Sequence, residues 1–233
     1  MFPFAPARRR GVELLDDPAT DPALAVRSLR DVAKANRFFG GVSAVLSELR
    51  MEIAHAAIDG RELTLLDIGT GAGDIPERAR VLAAAAGVRL HTFGLEITAA
   101  LARASQPRSG VAVVGDALAL PFASHSVDLV TCSQVLHHFV PGDAACLIVE
   151  MHRVARRRAV IADIRRSWGA AMGLWASSWL IGFHPVSRHD GVVSVFRGFR
   201  VPELARAVQQ ATGQQAAVRN RRGFRVTASW TPA

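Results

Sequence analysis

The sequence predicts an α/β fold, a doubly wound and mostly parallel sheet of seven strands, on three observations. Short β-rich runs alternate with helical ones through residues 61–165, a glycine loop joins the first run to its helix, and two further β-rich runs close the chain. At 233 residues, 50% hydrophobic and 21% charged, the chain has the size and composition of a single globular domain with one sizeable core.

The elements follow in order. Residues 21–49 carry apolar positions at helical spacing (Leu24, Leu29, Val32, Phe38, then Val42, Val45, Leu46, Leu49) and are interrupted by Gly40-Gly41, which predicts two helices. From Thr64 the pattern is strand 64–68, helix 75–86, strand 89–95, helix 98–105, strands 111–115 and 127–132, helix 143–155 and strand 158–163. Such alternation implies parallel strands with right-handed crossovers and helices on both faces. An apolar helix over 168–183 follows, then a polar segment, 184–200, expected as a loop. Pro202 opens a helix to about residue 211, and the runs 216–218 and 224–230, joined by a turn at 220–223, are expected to pair antiparallel. The chain thus divides into N-terminal helices (1–50), a core (61–165), an insertion after strand five (166–200) and a C-terminal helix with strands (201–233).

Composition excludes little else. The formal charge of +8 is carried by arginine, Lys34 being the single lysine, and its tightest groups, 8–10, 156–158 and 219–222, lie far apart in sequence. No basic stripe points to nucleic acid. Cys132 and Cys146 have no CxxC spacing, so neither a zinc site nor a disulfide framework is expected, and no metal is assigned. Residues 1–10 lack a signal-peptide core, and the longest apolar run, 168–183, falls short of the roughly 18 residues a spanning helix needs. A soluble cytoplasmic protein without a transmembrane segment, monomer or homodimer, is the expectation.

The most informative stretch is Leu65-Leu66-Asp67-Ile68-Gly69-Thr70-Gly71-Ala72-Gly73-Asp74, a strand entering a glycine loop that opens a helix. Ligands of open α/β sheets bind at such strand ends. The third glycine of a dinucleotide G-x-G-x-x-G would here be Asp74, and a carboxylate at the helix start repels a pyrophosphate. With Asp67 at the strand end, the loop suits a cationic ligand without phosphate. S-adenosylmethionine (SAM), a sulfonium and an ammonium on an adenosine, is such a ligand. Glu96, closing the second strand, is placed for the ribose hydroxyls; Asp116, closing the third, for the adenine amino group, with the Ala117 backbone for a ring nitrogen.

The segment Leu65 to Phe139 resembles the core of the class I SAM-dependent methyltransferases, in the branch similar to quinone-biosynthesis and other small-molecule methyltransferases. The resemblance rests on Asp67 to Gly73, Gly94-Leu95-Glu96, Gly115-Asp116-Ala117 with Leu120-Pro121-Phe122, and Val127-Asp128-Leu129-Val130 leading to Val135-Leu136-His137-His138. It implies a Rossmann-like methyltransferase fold and a cofactor site of Asp67, Gly69, Thr70, Gly71, Gly73, Glu96, Ile97, Asp116, Ala117 and Ser133. The segments 163–167 and 184–191 resemble a subgroup signature of small-molecule methyltransferases. The N-terminal helices, which the sheet does not need, are expected to fold over the cofactor as a lid hinged at Gly40-Gly41, with Asn36 or Arg37 near its carboxylate.

Methyl transfer from a sulfonium needs acceptor, carbon and sulfur in line, and a base helps where the acceptor is a phenol or acidic carbon. The chain has no tyrosine, so histidine is the candidate: His138, with only one of the His137-His138 pair expected to face the cleft and no metal expected between neighbours on one turn, and His189. Asp163, Trp175, Trp179, His184 and Arg188 are the candidate acceptor-binding residues, since Trp168, Met172, Trp175, Trp179 and Phe183 recur on one helical face, as a pocket wall or as core packing. The acceptor is expected to be an apolar small molecule. The alternatives are a nucleic-acid methyltransferase, against which stands Thr131-Cys132-Ser133-Gln134 in place of a [DN]-P-P-[YF] clamp, and a SAM-binding protein without catalysis.

Overall fold

The computed structural model describes residues 5–9, 11–14 and 22–232. Seven strands, β1 (Leu63–Ile68), β2 (Leu90–Glu96), β3 (Val111–Val114), β4 (Val127–Ser133), β5 (Ala155–Ile164), β6 (Ala217–Arg221) and β7 (Arg225–Trp230), form one sheet in the order β3-β2-β1-β4-β5-β7-β6. All pairs are parallel except those of β7, which runs antiparallel to β5 and β6. The strand order reverses between β1 and β4, so the crevice of the fold opens beyond their carboxyl ends.

The period of two along β1 divides its side chains between two cores. Leu63 and Leu65 join Leu129, Val160 and Ala162 on one face; Leu66 and Ile68 join Val130, Cys132 and Ile161 on the other. The first face is covered by α2 (Gly41–Ile58) and α3 (Asp74–Ala85), the second by α5 (Pro141–Val154) and α8 (Val201–Thr212). Helices on both faces explain why β1 and β4 read as continuous apolar runs. The remaining helices are α1 (Pro22–Phe38), α4 (Ala99–Ser109), α6 (Trp168–Ile181) and α7 (Pro185–Arg197).

Two expectations are corrected here. The segment 184–200 is mostly the helix α7, begun by His184, whose ring nitrogen accepts from the Val186 N–H, and by Pro185 in its first turn. The apolar periodicity that would have revealed it is missing because its buried face is largely polar: Asp190, Ser194 and Arg197 are buried beside Val195. The second N-terminal helix is no lid. Val45, Leu49, Ile53 and Ala56 of α2 are core, and its buried Glu48 accepts from Arg219, Arg221, Thr227 and Ser229 of β6 and β7. Only α1 and residues 5–9 and 11–14 lie toward the crevice side, where α1 touches α2, α4 and α7. Among the described residues no helix is long and apolar enough to cross a membrane.

Candidate active site

The loop after β1 is built on glycines in the left-handed region, Gly69, Gly71 and Gly73 at φ of 63°, 60° and 72°. At Gly73 a side chain is doubly excluded, since a Cβ would also stand 2.8 Å from the Ser109 backbone nitrogen. Asp67 closes β1 fully buried and accepts from Thr70 Oγ1 at 2.9 Å and Thr131 Oγ1 at 2.7 Å. Glu96 closes β2 and accepts from the Gly71 N–H at 2.5 Å. Burial first, and then the neighbouring Asp74 and Glu96, push Asp67 up to about 7 against its two hydroxyl bonds. Burial raises Asp74 and Glu96 as well. Three crowded, desolvated carboxyl groups around one loop make a strong receptor for a cation.

Other cofactor candidates are placed less tightly. Asp116 is exposed and accepts from the Leu118 N–H at 2.9 Å, capping its own turn, with Ala117 half-buried beside it. Ile97 is exposed, and Ser133 at the end of β4 is buried with an unpartnered hydroxyl. Arg37 points outward, whereas its neighbour Asn36 is buried, bonds the Asp74 carboxyl, and takes a bond from the Gln134 amide. Of the two N-terminal candidates, it is Asn36 that the fold brings to the loop.

Beside the loop lies a cavity of about 190 Å³, walled mostly by apolar side chains of α1, α6 and α7 and floored by Gln134, His137, His138 and Ile164. Gln134 adopts a left-handed φ of 56°, a costly conformation for a residue with a side chain, and stands between loop and cavity. His137 and His138 form a 3-10 turn after β4, and both line the cavity, their rings 4.3 Å apart, contrary to the expectation that one would turn away. His137 is buried. Asp163 accepts from its Nδ1 at 2.7 Å and from its backbone N–H at 3.1 Å. Burial pushes Asp163 up, but the facing His137 and the Ile164 N–H hold it below its ordinary value, so it is ionised. Arg225, buried and brought down to about 10 by burial despite the pull of Asp163, remains a cation at neutral pH. The carboxylate therefore holds a proton on Nδ1, and Nε2 is buried with no hydrogen-bond partner, 4.0 Å from the Glu13 carboxylate.

Sequence reasoning missed Glu13, which follows no periodic pattern. It is buried in the cavity wall, 3.2 Å from Arg197 and 2.8 Å from the Ser194 hydroxyl, with His138 Nδ1 at 3.4 Å and His137 Nε2 at 4.0 Å. Glu13, His137 and His138 each offer a ligand atom within 4.8 Å of the others, a set able to take a divalent ion, so the argument that these two histidines cannot converge does not hold.

The candidates of the insertion fall outside this cavity. His184 is the N-cap of α7, and its backbone N–H donates to Asp31 at 3.0 Å. His189 is exposed and paired with Asp190 at 2.9 Å, which removes it from the reacting centre. Trp175 and Trp179 are 56% and 59% exposed, and the Arg188 guanidinium lies 3.5 Å over the Trp179 ring. Trp168, Met172, Trp175 and Trp179 are neither cavity wall nor core, whereas Phe183, the last of the stripe, is buried and lines the cavity together with the small face of α6, Ala170, Gly173 and Leu174.

Residues 66–162 match the family model described as methyltransferase domain. Demethylmenaquinone methyltransferases of Roseiflexus sp. (strain RS-1) and Roseiflexus castenholzii (strain DSM 13941 / HLO8) are 39% and 38% identical over 102 residues, 42% of this chain and 40% of theirs. The chain thus matches about two fifths of the length of these curated relatives. Among solved structures, magnesium protoporphyrin IX methyltransferase from Synechocystis PCC 6803 with bound SAH superposes with a TM-score of 0.54 at 17% identity, over 87% of each chain. A SAM-dependent methyltransferase from Aquifex aeolicus gives 0.53 at 14%, over 84% of this chain and 98% of that one. At such identities the likeness is one of fold.

Proposed function

We infer that the protein is a class I, SAM-dependent methyltransferase, a reading supported by the match of residues 66–162 to the methyltransferase-domain model, and that it transfers the methyl group of SAM to a hydroxyl or activated carbon of an apolar small molecule, phenol, quinone or polyketide-like. The observation that carries this reading is the His137 imidazole, held by the ionised Asp163 in the lining of a cavity that Gln134 separates from a loop suited to a cation. A buried ring nitrogen without a partner is costly, and an acceptor hydroxyl supplies the missing partner. SAM, held at the loop, would supply an electrophilic methyl group and depart as S-adenosylhomocysteine, while His137 would take the proton that the acceptor oxygen or carbon gives up. Asp163 holds the ring and stabilises the imidazolium that forms, so Asp163 acts through His137 and not on the acceptor. His137, rather than His138 or His189, is the base in this reading.

Turnover of SAM to S-adenosylhomocysteine against a panel of phenols, quinones and polyketides tests it. His137→Gln should lose about 10²–10⁴ in rate with SAM affinity unchanged. A variant within a few-fold of the parent defeats the base assignment, and SAM binding without turnover on any acceptor favours a non-catalytic SAM-binding protein. A second reading has its own observation, the ligand set of Glu13, His137 and His138. If chelation abolishes turnover and a divalent metal restores it, a metal at these residues replaces the free base.

A further inference from the structure

Helix α6 turns its bulk to the outside. None of its residues is charged, and its buried side chains are the small ones, Ala170, Ala171 and Ser178. Trp168, Met172, Trp175, Trp179 and Leu180 are exposed, Leu180 by 90%. A helix on the surface of a water-soluble domain shows the opposite arrangement, and a contiguous exposed apolar patch marks an interaction surface. Two cations flank it. Arg188 stacks on Trp179, and Arg165, at the entry to α6, lies 5.6 Å from the Phe224 ring; neither pairs with a carboxylate among the described residues. Of the five arginines in the stretch 165–200, Arg166 and Arg197 are buried on Glu203 and Glu13, while Arg165, Arg188 and Arg200 remain for the surface, against one acid, Asp190, which is buried.

We propose that α6 docks in the interface of an anionic lipid bilayer and that the cavity behind it receives its acceptor from the bilayer. Tryptophan, with an apolar ring and one N–H, settles at the headgroup level of membranes, and an uncharged aromatic helix face rimmed by arginine has the composition of an element lying in that interface. A helix of this length lies on a bilayer and does not span it. A second copy of the chain is the poorer occupant, because two surfaces of the same positive sign meet, whereas anionic headgroups complement them. The same helix walls the cavity with Ala170, Gly173 and Leu174, so a molecule leaving the bilayer at the tryptophans has one helix to pass. This route rests on the reading above that the acceptor is apolar; the docking does not.

The test uses the full chain without acceptor and phosphatidylcholine vesicles with and without phosphatidylglycerol. Expected is co-flotation with the anionic vesicles, weakened by salt, with a blue shift of tryptophan emission; Trp230, the one tryptophan outside α6, is buried and stays constant. Trp175→Ser with Trp179→Ser is expected to weaken vesicle binding at least tenfold, and Arg188→Glu several-fold, both with S-adenosylhomocysteine binding and circular dichroism unchanged. No binding to anionic vesicles, or equal binding by the double variant, overturns the proposal. So does a parent dimer that the double variant converts to monomer, which assigns the face to a second copy. Vesicle binding is read without turnover, so its loss leaves the methyltransferase reading untouched, and a failed turnover assay leaves the docking result standing.

Discussion

Asp67 shows how a binding site can be paid for by local instability. Its carboxyl titrates near 7 in the folded chain against an ordinary value of 3.8, chiefly because it is buried. The folded state therefore holds more protons than the unfolded one between those values, so this group's contribution to stability declines as pH rises from about 4 to 7. A cationic ligand favours the ionised form and reverses the penalty. SAM affinity is accordingly expected to weaken as pH falls through about 7, and binding near that pH should release protons, which calorimetry in buffers of different ionisation enthalpy reads directly. Asp67→Asn should flatten both; an affinity already flat in the parent across this range sinks the account. At this scale the candidate loop was legible, because Asp67, the glycines and Asp74 lie within ten consecutive residues. The proposed base was not. Which of His137 and His138 has its proton fixed depends on Asp163, and the cavity wall depends on Glu13, a residue with no pattern around it.

At the scale of elements, the N-terminal region divides into two helices of unlike purpose. The helix α2 is a layer of the sheet, with Val45, Leu49 and Ile53 in the core and Glu48 gathering two arginines and two hydroxyls from β6 and β7. Those arginines and hydroxyls hold Glu48 below its ordinary value despite its burial, so its stabilisation is present at neutral pH and is lost as pH falls through that lowered value. Glu48→Ala, which strands these donors, is expected to cost on the order of 3 kcal/mol, read by denaturant titration; a loss below about 1 kcal/mol would show that the cluster is solvated. By contrast α1 touches the crevice through Asn36. A chain beginning at Phe39 should fold cooperatively yet bind S-adenosylhomocysteine more weakly, while one beginning at Asp59 should not fold. Undiminished binding by the first leaves α1 without a role as lid. The sheet order was readable because β-rich and helical runs alternate in apolar periodicity. That signal failed for α7, where Asp190, Ser194 and Arg197 occupy the inward positions, and could not tell which face of α6 turns outward, since both faces are uncharged.

The molecule as a whole sets its cofactor loop and its cavity on either side of one side chain. Asn36 bonds the Asp74 carboxyl at the loop and the amide of Gln134 at the cavity, and Gln134 is held in a strained backbone conformation between them. The helix carrying Asn36 also fixes the start of α7, because Asp31 accepts from the His184 N–H. A ligand that changes the charge at Asp74 therefore pulls on Asn36, through it on Gln134, and through α1 on the helix that closes the cavity. Coupling of this kind is reciprocal: whatever S-adenosylhomocysteine does to the cavity, an acceptor must do to the loop. The expected outcome is that S-adenosylhomocysteine slows amide hydrogen exchange beyond the loop and α1, in the first turns of α7, a segment the ligand itself does not touch in this reading. Asn36→Ala should confine that protection to the loop and the end of β2, with the fold checked by circular dichroism, since Asn36 is the buried polar group that joins α1 to Asp74 and Gln134. If protection in the parent already stops at the loop, the two sites are independent and Asn36 merely fills the space between them.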